Sequence, residues 1–80
     1  MKNDTYYIKR CEILAGEAAT NGDAAVGSII IKGDEIISEA IEAAKSKNDV
    51  TCHAELNAIR IAVKELKAND LSDCILYTTH

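Results

Sequence analysis

One run of apolar, mostly β-branched residues, Val26-Gly27-Ser28-Ile29-Ile30-Ile31, constrains the fold more than any other part of the chain. Such a run is typical of an interior strand that is covered on both faces. Gly33-Asp34 follows as a two-residue turn, and the strand pattern resumes from Glu35 to about Ile41. We therefore predict an antiparallel hairpin whose first strand is central and whose second lies at an edge.

Segments with helical spacing flank this hairpin. The apolar positions between Asp4 and Ala19 recur at helical spacing and are followed by Asn21-Gly22, which favours a helix end. A second helix is predicted to begin after an N-cap at Asp49 or Thr51 and to end at Asn69, and residues 74–79 are predicted to form a third strand. The order helix, hairpin, helix, strand predicts an α/β fold with a mixed sheet.

Composition and charge narrow the function classes. With 48% hydrophobic and 28% charged residues the chain is expected to be globular. A net charge of −4 argues against nucleic-acid binding, because it gives no attraction to phosphate groups. No apolar stretch approaches membrane-spanning length, and no signal peptide is visible. The three cysteines do not resemble a disulfide framework. We expect a cytoplasmic protein without membrane contact.

The residues with the clearest chemical potential are His53 and Glu55, near the predicted start of the second helix. A neutral imidazole can bind a metal, and a carboxylate that is not a ligand can move protons beside it. By spacing alone this His-x-Glu pair is weak evidence, because a helix-capping histidine beside a solvated glutamate gives the same pattern. Gly27 is also ambiguous, since a glycine in a strand permits close approach of either a ligand or a packed helix.

The pair gains weight from a resemblance that extends over nearly the whole chain. Residues 25–31, residues 49–60 with the core His53-Ala54-Glu55, and residues 76–79 resemble, in this order, the zinc-dependent purine and pyrimidine deaminases. The fold that this implies is a three-layer cytidine deaminase-like α/β fold. The branch implied contains guanine deaminases, cytosine deaminases and tRNA adenosine deaminases.

The resemblance also implies roles for single residues. His53 would be a ligand of Zn²⁺, Glu55 the general acid/base that takes a proton from water and delivers one to the leaving amine, and Ala54 a backbone N–H donor to the substrate. Glu42 stands where many members of the family carry an asparagine that contacts the base or ribose. Independently of the resemblance, Gly27 is a candidate substrate contact, because a strand glycine at the edge of a pocket permits close approach of a ligand.

One family element is missing from these 80 residues, namely the Pro-Cys-x-x-Cys motif that supplies two further zinc ligands, since the chain contains no proline. We therefore expect residues 1–80 to be the N-terminal part of a single deaminase domain, inactive alone and without tight zinc binding. The expected substrate is a guanine-like base or small nucleoside rather than tRNA. The resemblance also implies a homo-oligomer.

A different hypothesis also fits the sequence. The same helices and sheet could form a non-catalytic module that serves oligomerisation or protein interaction. An open edge on the third strand would favour self-association under either hypothesis.

Overall fold

A computed structural model of the protein describes residues 2–79, which form two helices on opposite faces of a three-stranded sheet. The elements are α1 (Asp4–Thr20), β1 (Gly27–Lys32), β2 (Glu35–Ile41), α2 (Ala54–Leu66) and β3 (Cys74–Thr78). This order is the predicted one. The predicted three-layer α/β architecture is confirmed.

The sheet has the strand order β2-β1-β3, so β1 is central and β2 lies at an edge, as predicted. Both pairings of β1 are antiparallel, and the prediction of a mixed sheet is therefore wrong for the described residues. The reason is topological: β2 and β3 run in the same direction, but β1 lies between them and separates them.

The unbroken apolar character of β1 follows from its position between two helices. Ile29 and Ile31 belong to a buried cluster with residues of α1, whereas Ile30 belongs to a second cluster with Ala58 and Ala62 of α2. Side chains of a strand alternate between the two faces of a sheet. Consecutive isoleucines are therefore buried on both sides.

Gly27 allows α1 to pack closely on β1. A Cβ atom at this position would lie 2.5 Å from Cβ of Leu14 and 2.7 Å from the backbone nitrogen of Ala15, and closer still to the carbonyl oxygen of Cys11. Contacts this short are sterically forbidden for a real side chain. Helix packing thus accounts for the glycine.

The ends of α2 differ from the prediction. Its N-cap is His53, because Asp49 and Thr51 bond to each other: Asp49 Oδ1 accepts from the Thr51 amide at 2.9 Å and from its hydroxyl at 2.6 Å. At the other end Lys67, with φ at 52°, is the C-cap instead of Asn69. Neither helix of the described residues is long and apolar enough to cross a membrane.

Candidate active site

The candidate site lies at the N-terminus of α2, where the chain turns from an extended segment into the helix. His53 has extended backbone angles, φ −80° and ψ 144°, and its carbonyl oxygen accepts the first helical hydrogen bond, from Asn57 N–H at 2.9 Å. The His53 side chain makes no capping hydrogen bond and is 55% exposed. The imidazole is therefore accessible from solvent.

Glu42 reaches this helix start from the end of β2. Its backbone N–H donates to the carbonyl oxygen of Val26 at 2.9 Å, which ties the residue to the segment just before β1. Its side chain, in a residue only 6% exposed, accepts from Ala54 N–H through Oε1 at 3.1 Å, and Oε2 lies 3.0 Å from His53 Nδ1. A carboxylate is well placed here because the N-terminus of a helix carries partial positive charge.

Three potential metal donors come together at this point. Glu42, His53 and Glu55 each have one ligand atom within 4.8 Å of the ligand atoms of the other two. Imidazole nitrogen and carboxylate oxygen are both donors that Zn²⁺ accepts, and its sites combine three or four such groups around one ion. The residues present therefore fit zinc by donor type and by proximity.

No cysteine belongs to this group within the described residues. Cys11 is buried between α1 and the sheet, and its thiol contacts the carbonyl oxygen of Tyr77 at 3.5 Å. Burial raises the pKa of the Cys11 thiol, which disfavours the thiolate that a metal would need. Cys74 lies on β3, beside residues of the second core cluster. The cysteines at these two positions are thus structural.

Two aspartates, the buried Asp23 and the exposed Asp49, hold the connector between β2 and α2, residues 42–53. Asp23 Oδ1 accepts from the backbone N–H groups of Lys45 and Ser46 at 2.9 and 2.8 Å. The Ser46 side chain and these amides hold the pKa of Asp23 below its usual value. The Thr51 hydroxyl lowers the pKa of Asp49 in the same way. Hydrogen bonds to Asp23 and Asp49 therefore fix the connector on the N-terminal side of His53.

A cleft of about 410 Å³ lies beside the helix start. It borders the connector and the exposed side of α2, and its volume falls in the range of small-molecule pockets. Its wall includes Cys52, Asn57 and Arg60, with Arg60 donating to the Asn57 side chain at 3.3 Å, but none of the three donor residues. Asn57 and Arg60 belong to the segment 49–60 that carried the family resemblance, but neither residue had a predicted role of its own.

The structure brings together four of the five residues that the sequence singled out, namely Glu42, His53, Ala54 and Glu55. Gly27 is instead packed against α1. The Ala54 N–H, predicted to bind substrate, donates here to Glu42. The sequence did not predict this hydrogen bond, because Glu42 and Ala54 are 12 residues apart and no local sequence pattern links them.

Comparisons with known proteins identify the family of the chain. The chain matches the family described as the cytidine and deoxycytidylate deaminase zinc-binding region over residues 1–80. It is 42% identical over 78 residues to guanine deaminase of Bacillus subtilis, which covers 96% of this chain and 50% of the relative. It is 39% identical over 74 residues to a tRNA-specific adenosine deaminase of Aquifex aeolicus, covering 92% of this chain and 49% of the relative.

Structural comparison also finds similarity to a deaminase. The X-ray structure of the Bacillus subtilis guanine deaminase superimposes with a TM-score of 0.90 over 96% of this chain and 50% of that one. The chain thus spans about half the length of these relatives. Because the match covers residues 1–80, the chain belongs to the cytidine and deoxycytidylate deaminase zinc-binding family.

Proposed function

We propose that this chain supplies the helix-start part of the active site of a zinc-dependent hydrolytic deaminase of a nucleobase or nucleoside. The observation that carries the proposal is the grouping of Glu42, His53 and Glu55 within 4.8 Å at the N-terminus of α2. The group combines a metal-binding imidazole with carboxylates that can move protons. Membership of a deaminase family supports the reaction class.

Each residue has a distinct task in this proposal. His53 would hold the metal through a ring nitrogen, and its exposure leaves the ring open to a ligand. Glu55, half-buried in the first turn of α2, would accept a proton from water and pass it to the departing amine. Zinc, when bound, lowers the pKa of a bound water toward about 7, which makes attack at neutral pH feasible.

For the substrate we propose a guanine-like purine. The relative with 42% identity is a guanine deaminase, and the formal net charge of −4 gives these residues no general attraction for a polyanion such as tRNA. The similarity to a tRNA-specific adenosine deaminase makes adenosine in tRNA the alternative. Both substrates carry the amino group on a purine ring.

We further propose that residues 1–80 alone are inactive. The Pro-Cys-x-x-Cys motif does not occur in this sequence. A hydrolytic zinc site uses three protein ligands and keeps one open position. The described residues offer one imidazole and two carboxylates, and one carboxylate is needed for proton transfer.

The test uses the protein expressed from its complete coding sequence. Ammonia release would be measured with guanine, adenine, cytosine and their nucleosides and with an adenosine-containing tRNA anticodon stem, before and after zinc removal by a chelator. We expect release from guanine that is lost with the metal and restored by Zn²⁺. Release only from the RNA would overturn the substrate assignment, and no release from any of these would overturn the enzymatic proposal in favour of a non-catalytic module.

A further inference from the structure

The connector between β2 and α2 is held from outside by one buried side chain. Residues 45–51 of the connector are all exposed, whereas Asp23, which binds two of them, is only 8% exposed. Asp23 Oδ1 accepts from the amides of Lys45 and Ser46 at 2.9 and 2.8 Å. Hydrogen bonds to an ionised carboxylate are stronger than those between neutral groups. Asp23 is therefore a strong anchor for a segment that buries little of its own surface.

No second anchor of this kind is found for the middle of the connector. Within residues 2–79, Asp23 is the one residue outside the connector that forms hydrogen bonds with residues 43–51. The other hydrogen bonds of residues 43–51 stay inside the connector, as when Asp49 N–H donates to the carbonyl oxygen of Ala44 at 2.9 Å. The connector thus folds back on itself, and its place in the protein depends on Asp23.

Movement of the connector would reach the candidate site directly. Ala43 N–H donates to the carbonyl oxygen of Cys52 at 2.9 Å, so the anchored turn is joined to the residue before His53. His53 then begins α2, and the N–H of Ala54 donates to the carboxylate of Glu42 across this junction. The placement of the imidazole and of the first turn of α2 therefore depends on the connector.

We propose that Asp23 is a positioning residue for the deamination reaction and acts through the connector on His53 and on the start of α2. The inference rests on the proposed function, because the reaction is the one proposed there. Asp23 contacts neither metal nor substrate in this role. It sets the position of His53 and Glu55, and a misplacement of about 1 Å in an active site can lower the rate about 10²-fold.

A second aspartate separates positioning from general stability. Asp70 Oδ1 accepts from the amide of Ser72 at 2.9 Å, which is the same kind of contact that Asp23 makes. Amide and hydroxyl contacts lower the pKa of both carboxyl groups. Asp70, however, lies after the C-terminal end of α2, whereas His53 lies at its N-terminus. Loss of Asp70 should therefore cost stability without moving the candidate site.

The kinetic experiment compares Asp23→Ala, Asp23→Asn and Asp70→Ala in the protein from the complete coding sequence, saturated with zinc and well below the Tm of each variant. Alanine removes the acceptor, whereas asparagine keeps an oxygen that can accept from the same two amides. With guanine, or with the tRNA stem if only that releases ammonia, we expect kcat to fall about 10–100-fold in Asp23→Ala with a smaller change in KM. Asp23→Asn should restore most of kcat, and Asp70→Ala should leave it unchanged.

Hydrogen exchange of the same proteins, followed by NMR, measures the positioning without turnover. In the wild type, the two amides that Asp23 binds and the amide of Ala54 should have similar protection, because one opening of the connector exposes all three. Asp23→Ala should speed exchange at Ala54, whereas Asp70→Ala should not. A purely local role would leave Ala54 unchanged, because its N–H bonds to Glu42 and not to Asp23.

Three results would overturn the proposal. These are a wild-type kcat in Asp23→Ala, equal losses of kcat in Asp23→Ala and Asp70→Ala, and an Ala54 amide far better protected in the wild type than the two amides that Asp23 binds. The last result needs no variant, so it decides even if Asp23→Ala does not fold. If the wild type released no ammonia, the proposed function would fail, whereas the exchange data would still decide whether Asp23 positions the start of α2.

Discussion

Replacing Gly27 by alanine should destabilise the protein strongly, because the new methyl group has no space. The Cβ atom would lie 2.7 Å from the backbone nitrogen of Ala15 and 2.5 Å from Cβ of Leu14. Backbone atoms of α1 cannot rotate away, so the helix would have to move off β1. Overpacking typically costs about 1–3 kcal/mol, and a clash with backbone places this one at about 3 kcal/mol.

The same helix offers a matched control. Gly16 is exposed within α1, and nothing lies within 4 Å of the position that a Cβ atom would occupy there. Gly16→Ala should stabilise the protein by about 0.5–1 kcal/mol, because alanine restricts the unfolded chain and favours the helix. The two substitutions add the same atom and should act in opposite directions.

The assay is thermal and urea denaturation followed by circular dichroism. In a domain of this size 1 kcal/mol corresponds to a shift in Tm of about 4–8 °C, so we expect Tm to fall by roughly 12–24 °C in Gly27→Ala and to rise by a few degrees in Gly16→Ala. A Gly27→Ala protein as stable as the wild type would refute the packing argument and would return Gly27 to the substrate pocket as a candidate contact.

Three further predictions concern stability and association. Arg10 donates to both carboxylate oxygens of Glu39, at 2.5 and 2.8 Å, so Glu39→Gln should lower the free energy of unfolding by up to about 1 kcal/mol, a difference that shrinks in about 1 M salt. The pKa of Asp23 is lower in the folded protein than in the unfolded chain. The ionised carboxylate therefore stabilises the fold above the unfolded pKa, and this stabilisation is lost as pH falls through the folded-state pKa. Measured by thermal denaturation, Asp23→Asn should therefore flatten the decline of Tm between about pH 5 and pH 3. Leu76, 43% exposed on β3, should contribute to self-association, so Leu76→Lys should lower the average mass in sedimentation, whereas an unchanged mass would exclude this face.

The parts of the fold that could be predicted from sequence are those governed by neighbouring residues. The consecutive isoleucines of β1 indicated burial on both faces, and the structure divides them between the two helices. Gly33-Asp34 indicated the hairpin turn, and Gly33 does adopt a positive φ of 64°. Periodicity located both helices to within a few residues at their N-termini.

The errors lie where a side chain bonds to a partner that the local pattern could not reveal. Asp49 and Thr51 are both good N-cap residues, but they bond to each other and leave His53 to begin α2. The strand directions also depended on β1 lying between β2 and β3, which no local pattern specifies.

In the candidate site, too, sequence identified the individual residues but not the contacts between them. His53 and Glu55 were found from their spacing and from the family resemblance, and the structure places them together. Glu42 was identified as a substrate contact by position, yet in the structure it bonds to Ala54 and His53. A contact between the end of a strand and the start of the next helix depends on tertiary structure, so sequence spacing could not specify it.

The measurement that tests the central claim most directly is steady-state deamination by the protein from the complete coding sequence, with Glu55→Gln compared to the wild type. Glu65, exposed near the other end of α2, provides the control Glu65→Gln. If Glu55 carries the proton, kcat should fall by about 10²–10⁴-fold in Glu55→Gln, with unchanged Tm and zinc content, and should be unaffected in Glu65→Gln. Full activity in Glu55→Gln would contradict the assignment of the start of α2 as the catalytic site.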